Sequence, residues 1–241
     1  MKNIFFLSTG FLLAGVVCSF AESNVPGSVA NQSNNIGVAN VAVGSGNRAN
    51  LGSVSVDGSL VKGALVNQST NVGVANVAIG SGNKANLGSV AVEGSSINGA
   101  VVNQSNNIGS ANVAIGSGNK VNLGSVAVEN SRVSGSVINL SNNIGAVNVA
   151  IGSSNKANLG SIAIEGSSVK GAVVNQSNNL GAVNVVIGSG AEANMGAISI
   201  EGATVKGTIV NRSNNVGATN IAVGAFGLKA GNANTGSVVV K

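Results

Sequence analysis

Apolar and polar positions alternate with a period of two over short stretches of this chain. Val41-Ala42-Val43, Val54-Ser55-Val56 and Leu65-Val66-Asn67 are such stretches, and Gly44-Ser45-Gly46-Asn47, Asp57-Gly58-Ser59 and Lys62-Gly63 punctuate them. Alternation closed by turn-forming residues predicts strands. The density of Gly, Ser, Asn and Val argues against helices. The only proline, Pro26, precedes the repeated region, so none interrupts a strand ladder.

The alternation recurs every 36 residues. Gly37, Gly73, Gly109, Gly145, Gly181 and Gly217 keep that spacing, and so do Gly27, Gly63, Gly99, Gly135, Gly171 and Gly207. They divide the chain into units 27–62, 63–98, 99–134, 135–170, 171–206 and 207–241. The first five units have equal length, which a disordered tract would have no reason to keep. The sixth carries four extra residues within 225–234, including Phe226. That insertion reads as a partial cap, a lateral contact or a tag that sets polarity.

Stacking the units exposes columns of one residue type. One asparagine column is Asn31, Asn67, Asn103, Asn139, Asn175, Asn211. A second is Asn35, Asn71, Asn107, Asn143, Asn179, Asn215, and a third is Asn40, Asn76, Asn112, Asn148, Asn184, Asn220. A fourth runs Asn50, Asn86, Asn122, Asn158, Asn194 and reaches Asn234 after the insertion. Apolar columns headed by Ile36, Val43, Leu51, Val54, Val56, Val61 and Leu65 lie between them. The charges also align. Asp57, Glu93, Glu129, Glu165 and Glu201 form an acidic column, and Arg48, Lys84, Lys120 and Lys156 a basic one that Glu192 breaks.

A single unit cannot bury its apolar side chains, but stacked units share a continuous core. The expected fold is therefore all-β: a parallel, in-register β-solenoid of six 36-residue repeats. Thirty-six extended residues have a contour of roughly 120 Å. Each unit must therefore fold back as one serpentine, Greek-key-like rung or wind twice, and the single rung is preferred. Six rungs would stand roughly 29 Å tall. Equivalent asparagines would then lie about 4.8 Å apart and could join amide to amide. Four columns across the junctions offer about 20 such bonds, each worth ~0.5–1.5 kcal/mol net.

Composition narrows the function. The chain has no His, Trp or Tyr and a single Cys, Cys18, in its first 21 residues. The common transition-metal sites and the histidine-dependent nucleophilic triads have no residues to be built from. No cofactor site is expected, and the one-per-unit acids offer no paired carboxylates by sequence, so the chain does not read as an enzyme. The formal net charge is +5 at pH 7. Without a Lys/Arg run or an aromatic stacking platform, this reads as a mildly basic surface and not as a nucleic-acid site. Asn31-Gln32-Ser33 and its counterparts match a glycosylation sequon, but a glycan there would block stacking.

Residues 1–21 read as a secretory signal, with Lys2, an apolar stretch over Ile4–Val17 and the small-x-small site Ser19-Phe20-Ala21. A short lead, 22–26, would then precede the solenoid. The expected location is extracellular or on the cell surface, with no transmembrane segment in the mature chain.

Ser33-Asn34-Asn35-Ile36-Gly37-Val38-Ala39-Asn40-Val41-Ala42-Val43-Gly44, followed by Asn47 and Asn50, resembles the repeat of Fap-type functional amyloid subunits. The asparagine and glutamine ladders are more loosely similar to curli repeats, and Val41-Ala42-Val43-Gly44 to the heads of trimeric autotransporter adhesins. The first resemblance implies an extracellular biofilm fibre of stacked rungs. The expected function is a secreted structural subunit that polymerises with itself head-to-tail, with other matrix components or a nucleator as candidate further partners. The alternative is a monomeric surface adhesin that binds through one solenoid face.

Overall fold

In the computed structural model, the described residues are 4–8, 17–21, 24–45, 48–81, 84–117, 120–153, 156–189, 191–224 and 232–241. The Phe226 insertion, residues 9–16 of the leader and Gly46-Asn47 of the first glycine-rich turn lie outside them. The described residues contain strands and no helices, and no helix is long and apolar enough to cross a membrane.

Each of the first five units forms one rung of five strands and the sixth a rung of four, and equivalent strands of successive rungs pair in parallel without a slip. The long sheet consists of Val29–Ile36, Leu65–Val72 and their equivalents. The valine sheet consists of Ala39–Ser45, Ala75–Ser81 and their equivalents. The lysine sheet begins with Arg48–Leu51 and Lys84–Leu87, and the acidic sheet with Ser53–Asp57 and Val90–Glu93. The short sheet begins with Asn24–Val25 and Leu60–Val61. Asn31 pairs with Asn67 and Asn67 with Asn103, so one rung spans 36 residues.

The rung folds back on itself. The long and valine strands run out, and the lysine and acidic strands return beneath them. The short strand leads into the next rung. Two apolar lobes result. One lies between the long, acidic and short sheets and is filled by Val, Ile and Leu, among them Val54, Val92, Ile97, Val128 and Ile162. The other lies between the valine and lysine sheets and holds Ala78, Ala85, Ala114 and Ala150. Leu51, Leu87, Leu123 and Leu159 pack where the lobes meet.

The columns headed by Leu51, Val54, Val56, Val61 and Leu65 are buried, as stacking requires. The columns headed by Ile36 and Val43 are not. Ile36 is 60% exposed and Val43 67%. The cause is parity. Asn40 and Ala42 face inward on the valine strand, so Val41 and Val43, one residue over, must face out.

Ile4–Ser8 pairs in parallel with Val29–Ser33 and Val17–Ala21 with Ser53–Asp57, placing these leader segments against the first rung. Phe6 stands opposite Asn31 in this pairing. Every other partner in that column is an asparagine, so the leader brings no amide to the ladder.

Candidate functional site: the asparagine ladders and the terminal rungs

Short side chains of one type, held one strand spacing apart on an inward face, can reach only each other. The first three asparagine columns obey this. In the first, Asn31 Nδ2 donates to Asn67 Oδ1 at 2.8 Å, and the series continues through Asn103, Asn139 and Asn175 to Asn211. In the second, Asn35 donates to Asn71, and so on to Asn215, at 2.7–2.8 Å. In the third, Asn40 donates to Asn76 and the series ends at Asn220, at 2.9–3.1 Å. All three ladders donate toward the C-terminal rung.

Backbone carbonyls fix the direction of the third ladder. Asn76 Nδ2 also donates to the Ala49 carbonyl at 3.0 Å, and Asn112 Nδ2 to the Asn122 carbonyl at 3.1 Å. A flipped amide would set an oxygen against those carbonyls. The fourth ladder runs the other way. Asn86 donates to Asn50, and the series ends with Asn234 donating to Asn194. Together these bonds fill each junction of all four columns, the register that the repeat length implies.

A chain of donors and acceptors leaves one unused group at each end. In the first rung, Asn31 Oδ1 is buried and has no hydrogen-bond partner. In the last rung, Asn211, Asn215 and Asn220 each accept from the rung before, and their amides donate to the Ser237 carbonyl, to Ser213 Oγ and to the Asn234 carbonyl with Thr235 Oγ1, respectively. The fourth ladder reverses this, with a donor at Asn50 and an acceptor at Asn234. The last rung thus presents two ladder donors, Asn211 and Asn215, and one acceptor, because Asn220 gives its amide protons to the Asn234 carbonyl and Thr235 Oγ1; the first rung presents three acceptors and one donor.

The charges sit in the corner between the lysine and acidic sheets. Lys84 pairs with Glu93, Lys120 with Glu129, and Lys156 with Glu165 at 2.6 Å. Pairing within each rung offsets the repulsion along each like-charge column. Glu192, where the basic column breaks, is buried and accepts from Asn194 Nδ2 and Ser199 Oγ. Lys156 lies 3.9 Å from both Glu192 and Glu201 and so serves three carboxylates. Burial pulls the Lys156 ammonium down, but its hydrogen bond to Glu165 and the charges of Glu165, Glu192 and Glu201 outweigh that. Its pKa stands above the usual lysine value of 10.5.

Two features were absent from the sequence reading. Serine columns reinforce the stack, with Ser89 N donating to Ser53 Oγ at 3.2 Å and Ser53 Oγ to the Asn86 carbonyl at 2.9 Å. The recurrence of Ser53, Ser89, Ser125 and Ser161 after the Leu-Gly pair was the available signal. The outer face of the long sheet also forms a broad polar groove of about 1230 Å³, lined by Gln68, Gln104, Asn106 and Asn142 among others. Among the described residues no group of three or more Asp, Glu, Cys or His could hold a metal ion. No family model, curated protein or solved structure matches this chain.

Proposed function

We propose that this protein is a structural subunit that assembles head-to-tail into extracellular, amyloid-like fibres of a biofilm matrix or cell surface. The observation that carries the reading is the unpartnered Asn31 Oδ1 in one terminal rung, against the amides of Asn211 and Asn215 in the other, each with one proton left after its bond to the Ser237 carbonyl or Ser213 Oγ. The strand Ile4–Ser8 covers that acceptor without satisfying it, whereas a second copy stacked on the first rung would cover it and supply the missing amide. Stacking the last rung of one copy on the first rung of the next continues the first, second and fourth ladders with donors meeting acceptors, and the third once Asn220 exchanges Thr235 Oγ1 for the next Asn40. Two last rungs face to face would bring donor to donor in the first two. The contact is therefore heterologous and propagates as a filament. The proposal includes removal of the leader, because Ile4–Ser8 occupies the place of the next rung and brings no asparagine to it.

The test is electron microscopy of the purified chain, freed of residues 1–21, beside Asn211→Asp/Asn215→Asp in the same form. Aspartate can still accept from Asn175 and Asn179 but has no amide to give. The native chain should form filaments with a subunit repeat of about 29 Å. The double variant should keep its β circular dichroism and stay unpolymerised. Native monomers that persist at high concentration, or a variant that polymerises equally well, would overturn the proposal.

The polar groove favours a second reading, a monomeric adhesin whose long sheet binds a ligand rich in hydrogen-bonding groups. Saturable binding without filaments, weakened by Gln104→Ala, would select it.

A further inference from the structure

The valine sheet has large apolar side chains on its outer face and small or polar ones inside. Ile79, Ile115, Ile151 and Ile187 are 37–42% exposed although rungs above and below already cover their flanks. The inward positions on the same strands are Asn and Ala, with Val186 in place of Ala on the strand of Ile187. No strand of this sheet contains a charged residue. A solvated face in this chain has the chemistry for water at hand, since the long sheet turns out Gln and Asn and the corner of the lysine and acidic sheets carries the ion pairs. The long sheet also turns outward an apolar column headed by Ile36, but separates it with Gln and Asn, whereas the valine sheet sets its Val41 and Val43 columns side by side over its whole height.

Six strands about 4.8 Å apart and seven residues wide give a face of about 29 by 23 Å. That is ~670 Å² on each of two partners, or ~1,300 Å² in total. Stable specific interfaces begin near 1,200 Å², whereas the largest apolar patch on an ordinary monomer is about 300–600 Å². The relief consists of Val and Ile ridges that recur once per rung. Only a surface with the same period can seat ridge in groove from end to end, and a second copy of this sheet has that period and no charge to desolvate.

We infer that the outer face of the valine sheet is a dry, face-to-face interface between two copies of this chain, with the sheets about 10 Å apart. The contact is lateral and does not rest on head-to-tail growth. It pairs single molecules, and in a filament it joins two strands of subunits side by side.

The experiment compares the purified chain with Ile115→Lys/Ile151→Lys, with the shape-conserving Ile115→Thr/Ile151→Thr, and with Gln104→Lys/Gln176→Lys on the long sheet. Light scattering reads the mass of soluble species, and electron microscopy reads mass per filament length. Circular dichroism and thermal melting establish that each variant is folded. The native chain and the long-sheet control should be paired. The Lys variant should lose pairing at least tenfold and the Thr variant several-fold, and filaments should fall to half the mass per length with an unchanged axial repeat. Unpaired native chain, Lys and Thr variants that pair as before, or equal loss in the control would each overturn the inference. So would a native chain that binds phosphatidylcholine vesicles through this face and not a second copy. Asn211→Asp/Asn215→Asp separates the two proposals, because it should abolish filaments and leave pairs intact.

Discussion

Between the long, acidic and short sheets the stack is filled by Val, Ile and Leu. Between the valine and lysine sheets it is filled mainly by Ala and Asn, with Val121 and Val186, while Val and Ile of the valine sheet face outward. The first lobe is held as any domain core is, by burying apolar area worth about 1.5–3 kcal/mol per large side chain. The second buries little of it. Its specificity comes from the third asparagine ladder and from backbones that approach closely over glycine and alanine. A slip of register would cost the first lobe some packing. It would cost the second its ladder bonds and set amides against methyl groups. The apolar lobe supplies cohesion, the inner ladders of the long sheet and of the amide lobe supply register, and the amide lobe leaves an outer face free to do something else.

The most severe way to break the amide lobe is to forbid the close approach. Gly116 has φ +134°, and a Cβ there would lie 1.6 Å from the carbonyl oxygen of Gly80 in the rung before. Gly116→Ala should cost about 4 kcal/mol or more, because backbone must move. Gly109→Ala is the control. Its φ is +56°, with nothing within 4 Å of an added Cβ, so only the left-handed conformation is penalised, at about 1 kcal/mol. Denaturant midpoints of the two variants should differ widely. Equal midpoints would mean that the rungs are not held at this distance.

Next comes a pair of isoleucine truncations. Ile162 is fully buried in the apolar lobe and Ile151 is 37% exposed on the valine sheet. Ile162→Ala should cost about 3 kcal/mol. Ile151→Ala should cost less than about 1 kcal/mol in a dilute, unpaired chain. If the second value rises with protein concentration while the first does not, the outer face is being buried against another molecule.

The ladders allow a comparison inside the long sheet itself. Asn107 is fully buried between Asn71 and Asn143. Asn107→Ala leaves the Asn71 amide and the Asn143 oxygen unpaired and should cost about 2 kcal/mol. Asn142 faces outward and donates to Asn106 at 3.1 Å in a ladder that water can replace. Asn142→Ala should cost less than about 0.5 kcal/mol. Similar losses would show that burial is not what gives the inner ladders their value.

These contrasts mark what could be read from the sequence. The 36-residue spacing of Asn31, Asn67 and Asn103 fixes the register, because identical residues at identical spacing can satisfy their amides only by stacking. The buried columns at Leu51, Val54 and Val61 follow from the same logic. The facing of Val41 and Val43 was not legible, because hydrophobicity points both residues inward. On a strand one parity must go in, and here Asn40 and Ala42 take it. An isolated amide prefers water, whereas a laddered amide is already satisfied, so the choice rests on neighbours that a single unit does not display. Ladder direction was illegible for a related reason. It is decided by carbonyls such as those of Ala49 and Asn122, which come into reach only once the lysine strand folds back.

The smallest expected effect lies in the ionic corner, where the rungs stop being alike. Lys84 and Lys120 each pair with the glutamate of their own rung, whereas Lys156 also faces the carboxylates of Glu192 and Glu201 from the following rung. Its raised pKa makes the folded chain a better proton binder than the unfolded one. The stability it contributes is complete below the unfolded value near 10.5 and is lost as pH climbs through the higher folded value. The difference in denaturant midpoint between the native chain and Lys156→Met should therefore be constant at neutral pH and shrink only on the alkaline side of 10.5. Glu192→Gln removes one of the charges that raise the pKa, so the shrinkage should still begin near 10.5 but be smaller and complete at lower pH in that background. Added salt should weaken the whole effect, since Lys156 is partly exposed. A difference that shrinks on acidification instead would mean that a carboxylate, and not the shared lysine, governs this corner.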